Sequence, residues 1–232
     1  MSTIKIHTII VAGGSGSRFG SDIPKQYCRL AGRPILMHTI EAMRNALPDS
    51  EITLVISRDM HQLWDDLCKE YDFESPTVIY GGATRAQSVA NALRSISQPG
   101  LDDIVLIHDG ARPLIDTSTV QHVVDRLLSN DTDGVIPTIA VTDSIRKLDK
   151  TGSHPVDRSL FRAVQTPQGF NLIALQKAYQ KPEQTDWTDD ASVMASVGKT
   201  KIELVDGTPE NIKITNPLDI EIAEAILRRR KR

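Results

Sequence analysis

A glycine-rich segment with two cationic residues is the first candidate for chemistry. Residues 12–20 read AGGSGSRFG, and Lys25 follows within a Pro-Lys-Gln stretch. Glycines allow the backbone to approach a phosphate chain closely and to aim its N–H groups at it. Cleavage of a triphosphate develops negative charge, which side chains such as Arg18 and Lys25 neutralise. The segment therefore predicts binding and cleavage of a polyphosphate.

Other interpretations of this segment fit its residues less well. A Walker A motif requires Gly-Lys-Ser/Thr, which is missing here. A dinucleotide fingerprint requires GxGxxG, but counting from Gly14 reaches Phe19 at the third glycine position, and Gly20 is one residue late. A dinucleotide fold also keeps its pyrophosphate intact with backbone amides. A flexible turn without a ligand would leave Arg18 and Lys25 unexplained.

A carboxylate at the end of an apolar run is the second candidate. Residues 104–107 read IVLI and are followed by HDGARP, so Asp109 emerges beside Gly110 and close to Arg112. Mg²⁺ commonly takes one or two protein carboxylates and fills its shell with water and phosphate oxygens. Asp109 meets that requirement. The motif alone also permits a turn residue at Asp109 with Arg112 as its surface partner. For His108 we expect a hydrogen-bonding role rather than that of a base.

Strand-length apolar runs alternate with helical apolar patterns around these motifs. The predicted strands are residues 6–12, 52–56, 78–80, 104–107, 135–141, 163–165 and 202–205. The predicted helices are residues 36–47, 60–71, 89–96, 120–128, 172–179 and 218–227. This order predicts an α/β, Rossmann-like fold with a mostly parallel sheet flanked by helices. Ligands of such sheets bind at the carboxyl ends of the strands, where both motifs lie. Trp64 falls on an apolar helix face and is predicted to be core.

The alternation breaks at residues 143–160, a mixed polar run that we interpret as a protruding β-arm inserted into one domain spanning residues 1–232. A net charge of −3 and 4% aromatic residues argue against nucleic acid as a partner. The basic C-terminal residues 228–232 end a predicted helix, where cations complement the helix dipole. No apolar run is long enough for a membrane span or a signal sequence, so we expect a cytoplasmic protein.

Six motifs together resemble the 2-C-methyl-D-erythritol 4-phosphate cytidylyltransferases of the non-mevalonate isoprenoid pathway. They are AGGSGSRFG with PKQ, GGxxRxxS at 81–88, HDGARP at 108–113, QTPQ at 165–168, TDDAS at 188–192 and NIKIT at 211–215. The resemblance covers essentially the whole chain and implies a nucleotidyltransferase-type fold. It implies transfer of a cytidylyl group from CTP to a sugar-alcohol phosphate, with release of pyrophosphate and with Mg²⁺ or another divalent cation as cofactor.

The resemblance also implies a role for individual residues. Arg18 and Lys25 would stabilise the transition state, and Asp109 would hold the metal. Nucleotide binding would involve Ala12, Gly13, Gly14, Ser15, Gly16, Gly82 and Ser88. Acceptor binding would involve Ala111, Arg112, Thr142, Arg158, Thr166, Thr188 and Lys213, with Arg158 and Lys213 also serving catalysis. Thr142 and Arg158 would reach a neighbouring subunit's site through the arm, in a homodimer.

Several of these assignments depend on the resemblance alone. Lys213 lies in an apolar, strand-like run at 212–214, where a solvent-facing residue is the ordinary explanation. Arg158 would otherwise be a surface charge, and the three threonines would be turn or cap residues. Three functional alternatives remain open: a ribitol 5-phosphate cytidylyltransferase, which shares several motifs, a dinucleotide-dependent oxidoreductase, suggested by the near-miss glycine pattern, and a non-catalytic binding protein.

Overall fold

The computed structural model describes residues 4–14, 23–129, 131–181 and 187–230. The strands of this part of the chain are β1 (Ile6–Val11), β2 (Arg29–Leu30), β3 (Arg33–Pro34), β4 (Glu51–Ile56), β5 (Thr77–Tyr80), β6 (Ile104–Asp109), β7 (Gly134–Ala140), β8 (Arg146–Asp149), β9 (Gly152–Pro155), β10 (Arg162–Val164), β11 (Gln168–Asn171) and β12 (Ile202–Asp206). Its helices are α1 (Ile35–Ala46), α2 (His61–Glu70), α3 (Arg85–Ser95), α4 (Thr117–Leu128), α5 (Leu172–Ala178), α6 (Asp190–Ala195) and α7 (Pro217–Arg230).

The apolar runs form one central sheet in the order β10-β7-β11-β6-β1-β4-β5, with β12 pairing with β7. Strand β1 runs parallel to β4 and β6, β4 runs parallel to β5, and β12 runs parallel to β7. Strands β10 and β11 are the antiparallel members. The predicted α/β class with a mostly parallel sheet is therefore confirmed.

Helices cover both faces of the sheet because its central strands are apolar on both faces. Ile10 of β1 packs in a cluster with residues of α1, α2 and α4, whereas Ile9 packs in a second cluster with residues of α3, α5 and α6. Trp64 of α2 is fully buried in the first cluster, so its predicted core role is confirmed. The helices on both faces of the sheet hold the strand ends in place, and the site lies at those ends.

The sequence pattern differs from the structure at a few points. The first strand ends at Val11, one residue earlier than predicted. Residues 212–214 form no strand, although Ile214 is fully buried. Strand β11 and helix α6 were not predicted, because residues 168–171 contain only one large apolar side chain and α6 is six residues long.

The predicted arm contains the antiparallel hairpin β8–β9, whose residues are all exposed. The hairpin pairs within itself and lies outside the central sheet. Among all the residues that the structure describes, no helix has both the length and the apolar character needed to cross a membrane.

Candidate active site

The parallel pairing of β1 with β6 brings the two candidate motifs together. Val11 and Asp109 are register partners at the ends of these strands, and the Gly110 N–H donates to the Val11 carbonyl at 2.9 Å. Because parallel strands end at the same edge of a sheet, the glycine-rich segment and the carboxylate leave the sheet side by side.

A cavity of about 480 Å³ opens at this edge. Nine residues predicted for the site line it: Ala12, Gly13, Gly14, Lys25, Gly82, Ser88, Asp109, Ala111 and Lys213. Gln26, Thr84, Arg85 and Thr215 line it as well, without having been predicted. The predicted residues Arg18, Ser15 and Gly16 lie outside the described residues.

Gln26 fixes the start of the glycine-rich segment. Its side chain is buried, and its Nε2 donates to the carbonyl of Ala12 at 2.6 Å and to that of Gly14 at 3.0 Å. Lys25, the preceding residue, lines the cavity, and Tyr27, the following one, is buried in the core. The Pro-Lys-Gln stretch therefore places a cation in the cavity while bracing the backbone beside it.

The start of α3 forms the opposite wall. Ser88 Oγ accepts a hydrogen bond from the Gly82 N–H at 3.1 Å and donates to the Thr84 carbonyl at 2.9 Å. A Cβ at Gly81 would stand 2.6 Å from Ser88 Oγ, so this turn needs glycine. Thr84 caps the helix by accepting from the Gln87 N–H, and Arg85 is its first residue. The motif thus presents Gly82, Ser88 and Arg85 to one pocket.

Three cations surround the Asp109 carboxylate. Lys213 Nζ lies 3.0 Å and Arg112 Nε 3.3 Å from Oδ2, while Arg85 Nε lies 3.8 Å from Oδ1. Burial alone would raise the pKa of Asp109. The charges of Lys213, Arg85 and Arg112 outweigh this effect and hold the pKa well below its ordinary value. Asp109 is therefore ionised. The alternative of a turn at Asp109 with Arg112 as its partner agrees with the Arg112 N–H donating to the Asp109 carbonyl at 3.0 Å and with the ion pair, but at 12% side-chain exposure Arg112 is not a surface residue.

His108 is held in the sheet by hydrogen bonds, as its position predicted. Thr166 Oγ1 lies 2.9 Å from Nδ1 and accepts from the Asp109 N–H. In a neutral ring whose Nε2 carries the hydrogen, Nδ1 is the acceptor, so the Thr166 hydroxyl donates to it. Nε2 donates to the Arg112 carbonyl at 3.1 Å. Burial lowers the pKa of His108 to about 4, which keeps the ring neutral at neutral pH. Thr166 acts from behind the cavity wall by orienting Asp109.

The loop that carries Lys213 is tied to the same strand end. Arg112 Nη1 donates to the Asn211 carbonyl at 2.8 Å, and Asn211 Nδ2 donates to the Thr166 carbonyl at 2.9 Å. The Ile214 N–H donates to the Ala111 carbonyl at 2.9 Å. Lys213 is therefore fixed by bonds on both sides of it, although the loop has no regular secondary structure.

Comparison with known proteins assigns this arrangement to a family. Residues 6–229 match the family model described as "IspD: 2-C-methyl-D-erythritol 4-phosphate cytidylyltransferase". The chain belongs to this family. A protein of that name from Bacteroides thetaiotaomicron is 40% identical over 225 residues, which are 97% of this chain and 100% of that protein. A second, from Porphyromonas gingivalis, is 41% identical over 224 residues, 96% of this chain and 98% of the relative.

Solved structures give the same result for the fold. The crystal structure of 4-diphosphocytidyl-2C-methyl-D-erythritol synthase from Anaerococcus prevotii superposes with a TM-score of 0.81 at 26% identity, over 97% of this chain and 96% of that one. The cytidylyltransferase structure from Thermus thermophilus superposes with a TM-score of 0.73 at 28% identity, over 97% and 100%. The chain is thus a nucleotidyltransferase enzyme. Family membership does not favour the ribitol alternative or the oxidoreductase.

Some predicted acceptor-binding residues lie away from the cavity of the cytidylyltransferase chain. Thr142, Arg158 and Thr188 are exposed and are not among the described residues that line the cavity. The Arg158 guanidinium donates to the Thr142 carbonyl at the base of the arm. Within a single chain, Thr142 and Arg158 are therefore near each other but do not reach the pocket.

Asp190 is a buried residue of this site that sequence reasoning missed. Arg85 Nη2 donates to Asp190 Oδ2 at 2.6 Å, and the Tyr179 hydroxyl donates to Oδ1 at 2.5 Å. Asp190 is 0% exposed, and Asp109 is the second carboxylate within reach of Arg85. Arg85 and Asp190 belong to the motifs GGxxRxxS and TDDAS. The two residues are 105 positions apart in the chain, and nothing in the sequence indicates that they meet.

Asp109 is a suitable but incomplete donor for a divalent cation. In the ranges that the structure describes, no group of three or more His, Cys, Asp or Glu side chains is arranged to hold a metal. One carboxylate at the cavity wall fits a cation such as Mg²⁺, which takes few protein ligands and completes its shell with phosphate oxygens. The residues therefore fit a metal that arrives with a nucleotide.

Proposed function

We propose that this cytidylyltransferase transfers a cytidylyl group from CTP to 2-C-methyl-D-erythritol 4-phosphate, forming the 4-diphosphocytidyl product and pyrophosphate. The observation that carries the proposal is the cavity in which Lys25, Lys213 and the ionised Asp109 meet beside the glycine-rich segment. The family to which the chain belongs supplies the identity of the two substrates.

The reaction requires no general base from the protein. A phosphate monoester is already anionic near neutral pH, so its oxygen can attack the α-phosphorus of CTP directly. The chain must instead bring two polyanions together and stabilise the charge that develops in an in-line transition state. Cations from separate segments, Lys25 and Lys213, face one cavity and suit that task. We assign Arg18 to the same role from the family resemblance.

We assign nucleotide and metal binding to different residues of the same cavity. The backbone at residues 12–16, together with Gly82 and Ser88, would hold the nucleotide. Asp109 would bind Mg²⁺ or another divalent cation together with phosphate oxygens, which supplies positive charge for the leaving pyrophosphate. His108, Thr166 and Arg112 orient Asp109 for this purpose.

We further assign acceptor binding to Ala111 and Lys213, which line the cavity, and, from the family resemblance alone, to Arg112, Thr166 and Thr188, with Thr142 and Arg158 contributed by a second subunit. The position of Arg158 on the arm supports this arrangement, because the residue lies outside its own chain's cavity. The enzyme would therefore act as a homodimer with two composite sites.

Parallel assays with the two acceptors test the proposal. Purified protein is incubated with CTP, Mg²⁺ and either 2-C-methyl-D-erythritol 4-phosphate or ribitol 5-phosphate, and released pyrophosphate and product mass are measured. We expect release only when CTP, the divalent cation and the methylerythritol acceptor are all present. Turnover with ribitol 5-phosphate alone, or nicotinamide-dependent redox activity, would contradict the assignment.

Substitution of Lys25 tests the mechanism. We expect Lys25→Ala to lower the rate by at least ~100-fold, since a transition-state charge partner commonly contributes that much. Lys69→Ala is the matched control, because Lys69 is an exposed lysine on α2 outside the cavity lining. If Lys25→Ala folds and keeps near-normal turnover, the proposed role of Lys25 is wrong.

A further inference from the structure

Arg85 lies between two carboxylates at unequal distances. Its Nη2 donates to Asp190 Oδ2 at 2.6 Å, whereas its Nε is 3.8 Å from Asp109 Oδ1. A guanidinium forms its strong contacts at about 2.7–2.9 Å, so the first is a full charge-assisted hydrogen bond and the second is a longer ion pair. Asp190 therefore holds Arg85, and Asp109 only faces it.

The contacts of Asp109 divide between its two oxygens. Lys213 at 3.0 Å and Arg112 at 3.3 Å both lie against Oδ2. The ion pair of Oδ1 is the longer one with Arg85. Among the described ion pairs, Oδ1 therefore has the weaker partner, which makes it the better placed oxygen for a divalent ion as long as the guanidinium stays at its present distance.

Asp190 is itself held in position, so it can keep Arg85 at this distance from Asp109. Its carboxylate is completely buried, and the Tyr179 hydroxyl donates to the oxygen that Arg85 does not take. Gln168 Oε1 accepts from the Ala191 N–H and Gln168 Nε2 donates to Asp189, so the start of α6 is tied to β11. A buried carboxylate held on several sides is a fixed anchor for the cation.

We propose that Asp190 is a positioning residue that withholds Arg85 from Asp109, which keeps Oδ1 of Asp109 open to the divalent ion. The inference rests on the proposed function, specifically on metal binding by Asp109. Without the charge of Asp190, Asp109 is the nearest remaining carboxylate for Arg85, and the guanidinium would compete with the metal.

Binding of Mn²⁺ at a fixed CTP concentration, without acceptor, tests this role directly. Water-proton relaxation distinguishes protein-bound from nucleotide-bound Mn²⁺ and requires no turnover. We expect Asp190→Asn to weaken Mn²⁺ binding roughly tenfold, within the range for coupled residues of one charge network. Tyr179→Phe removes another hydrogen bond from the same carboxylate but not its charge, so it should stay within about threefold of wild type.

The double variant Asp190→Asn/Arg85→Gln separates competition from structural damage. Removal of the guanidinium should restore Mn²⁺ binding at least to the wild-type level, whereas damage to the fold would persist. Wild-type binding in Asp190→Asn, or a double variant that binds Mn²⁺ less tightly than wild type, would overturn the proposal. If Asp190→Asn does not fold, the double variant is compared with wild type by the same criterion.

Asp109→Asn shows which proposal has failed if the results are negative. Loss of Mn²⁺ binding in Asp109→Asn combined with wild-type binding in Asp190→Asn would refute only the role of Asp190. Unchanged Mn²⁺ binding in Asp109→Asn would refute the metal site, and with it the proposed function of Asp109.

Discussion

Local charge at individual residues, not net charge, prepares this cavity for polyanions. The chain carries a net charge of −3, yet Lys25, Arg85 and Lys213 line one pocket, where Asp109 is the one carboxylate among the described lining residues. Substrate phosphates would therefore meet a local excess of positive charge. Asp109 and Asp190 offset the charges of Arg85 and Lys213, which limits the repulsion among the cations.

Gln26 offers a test of how strongly the glycine-rich segment must be held. Gln26→Ala leaves the Ala12 and Gly14 carbonyls without their amide donor, and a lost buried partner costs about 1–3 kcal/mol. We expect the free energy of unfolding to fall by that amount in urea titrations. If the loosened glycine-rich segment loses about 1.4 kcal/mol of binding free energy for CTP, the KM for CTP should rise roughly tenfold.

Gln62→Ala is the matched control for Gln26→Ala. Gln62 makes an exposed hydrogen bond to Asp66 on α2, so its loss should leave both stability and the KM for CTP nearly unchanged. A Gln26→Ala variant that loses stability but keeps its KM would show that Gln26 supports the fold without shaping the nucleotide site.

Residue types and strand ends were sufficient to predict part of the site. Lys25 follows a glycine-rich segment and Asp109 ends an apolar strand, and both line the cavity. The Arg85–Asp190 pair could not be predicted, because its members are far apart in the sequence and meet only through the packing of α3 and α6. The loop position of Lys213 could not be predicted either, because the apolar residues on both sides of it give the alternating pattern of a strand.

At the scale of elements, apolar runs predicted the central parallel strands but not the strand inserted among them. Strand β11 lies antiparallel between β6 and β7 and contains Gly169 at a packed position. A Cβ there would be 2.5 Å from Leu127 and 2.8 Å from Val123, both on α4. Close packing against a helix therefore selects a glycine in β11, and this removes the apolar pattern by which strands are recognised.

The junction of β1 and β6 is the element contact on which the site depends most directly. A Cβ at Gly110 would lie 2.9 Å from Ala12 Cβ and 3.2 Å from the Val11 carbonyl oxygen. Gly110→Ala must therefore push the two strand ends apart. We expect a loss of about 1–3 kcal/mol in the free energy of unfolding, typical of overpacking, measured by chemical denaturation.

We expect the same Gly110→Ala variant to lower kcat/KM, because Ala12 and Asp109 would no longer be held at one edge. Gly14→Ala is the control for stability alone, since nothing lies within 4 Å of a Cβ at Gly14. Equal stability of the two variants would show that the strand junction tolerates the extra methyl group.

At the scale of the whole molecule, the arm exposes apolar surface that a single chain does not cover. Leu148 is 78% exposed on the hairpin and Leu160 is 79% exposed beside Arg158. Phe161 and Val164 are also exposed at strand β10, which is the edge of the central sheet. An exposed edge with apolar side chains is suited to pairing with a second chain. These features support the proposed homodimer, in which Arg158 would lie at the interface.

A complementation experiment decides whether Arg158 serves the neighbouring site. Lys25→Ala and Arg158→Ala chains are co-expressed with different tags, and the heterodimer is purified. If each site combines Lys25 of one chain with Arg158 of the other, one site carries both lesions and the other carries none. We therefore expect about half of the wild-type turnover, because a two-fold symmetric dimer has two equivalent sites.

The heterodimer of Lys25→Ala with Lys213→Ala provides the matched control. Lys25 and Lys213 line the same cavity of one chain, so each site of this heterodimer keeps one lesion and should stay as inactive as the single variants. Provided that the Arg158→Ala homodimer is itself inactive, recovery in the Lys25/Arg158 pair but not in the Lys25/Lys213 pair shows that Arg158 serves the neighbouring site. No recovery in either pair would place Arg158 in its own chain's site, and a fully active Arg158→Ala homodimer would place it outside catalysis; either result contradicts the shared site.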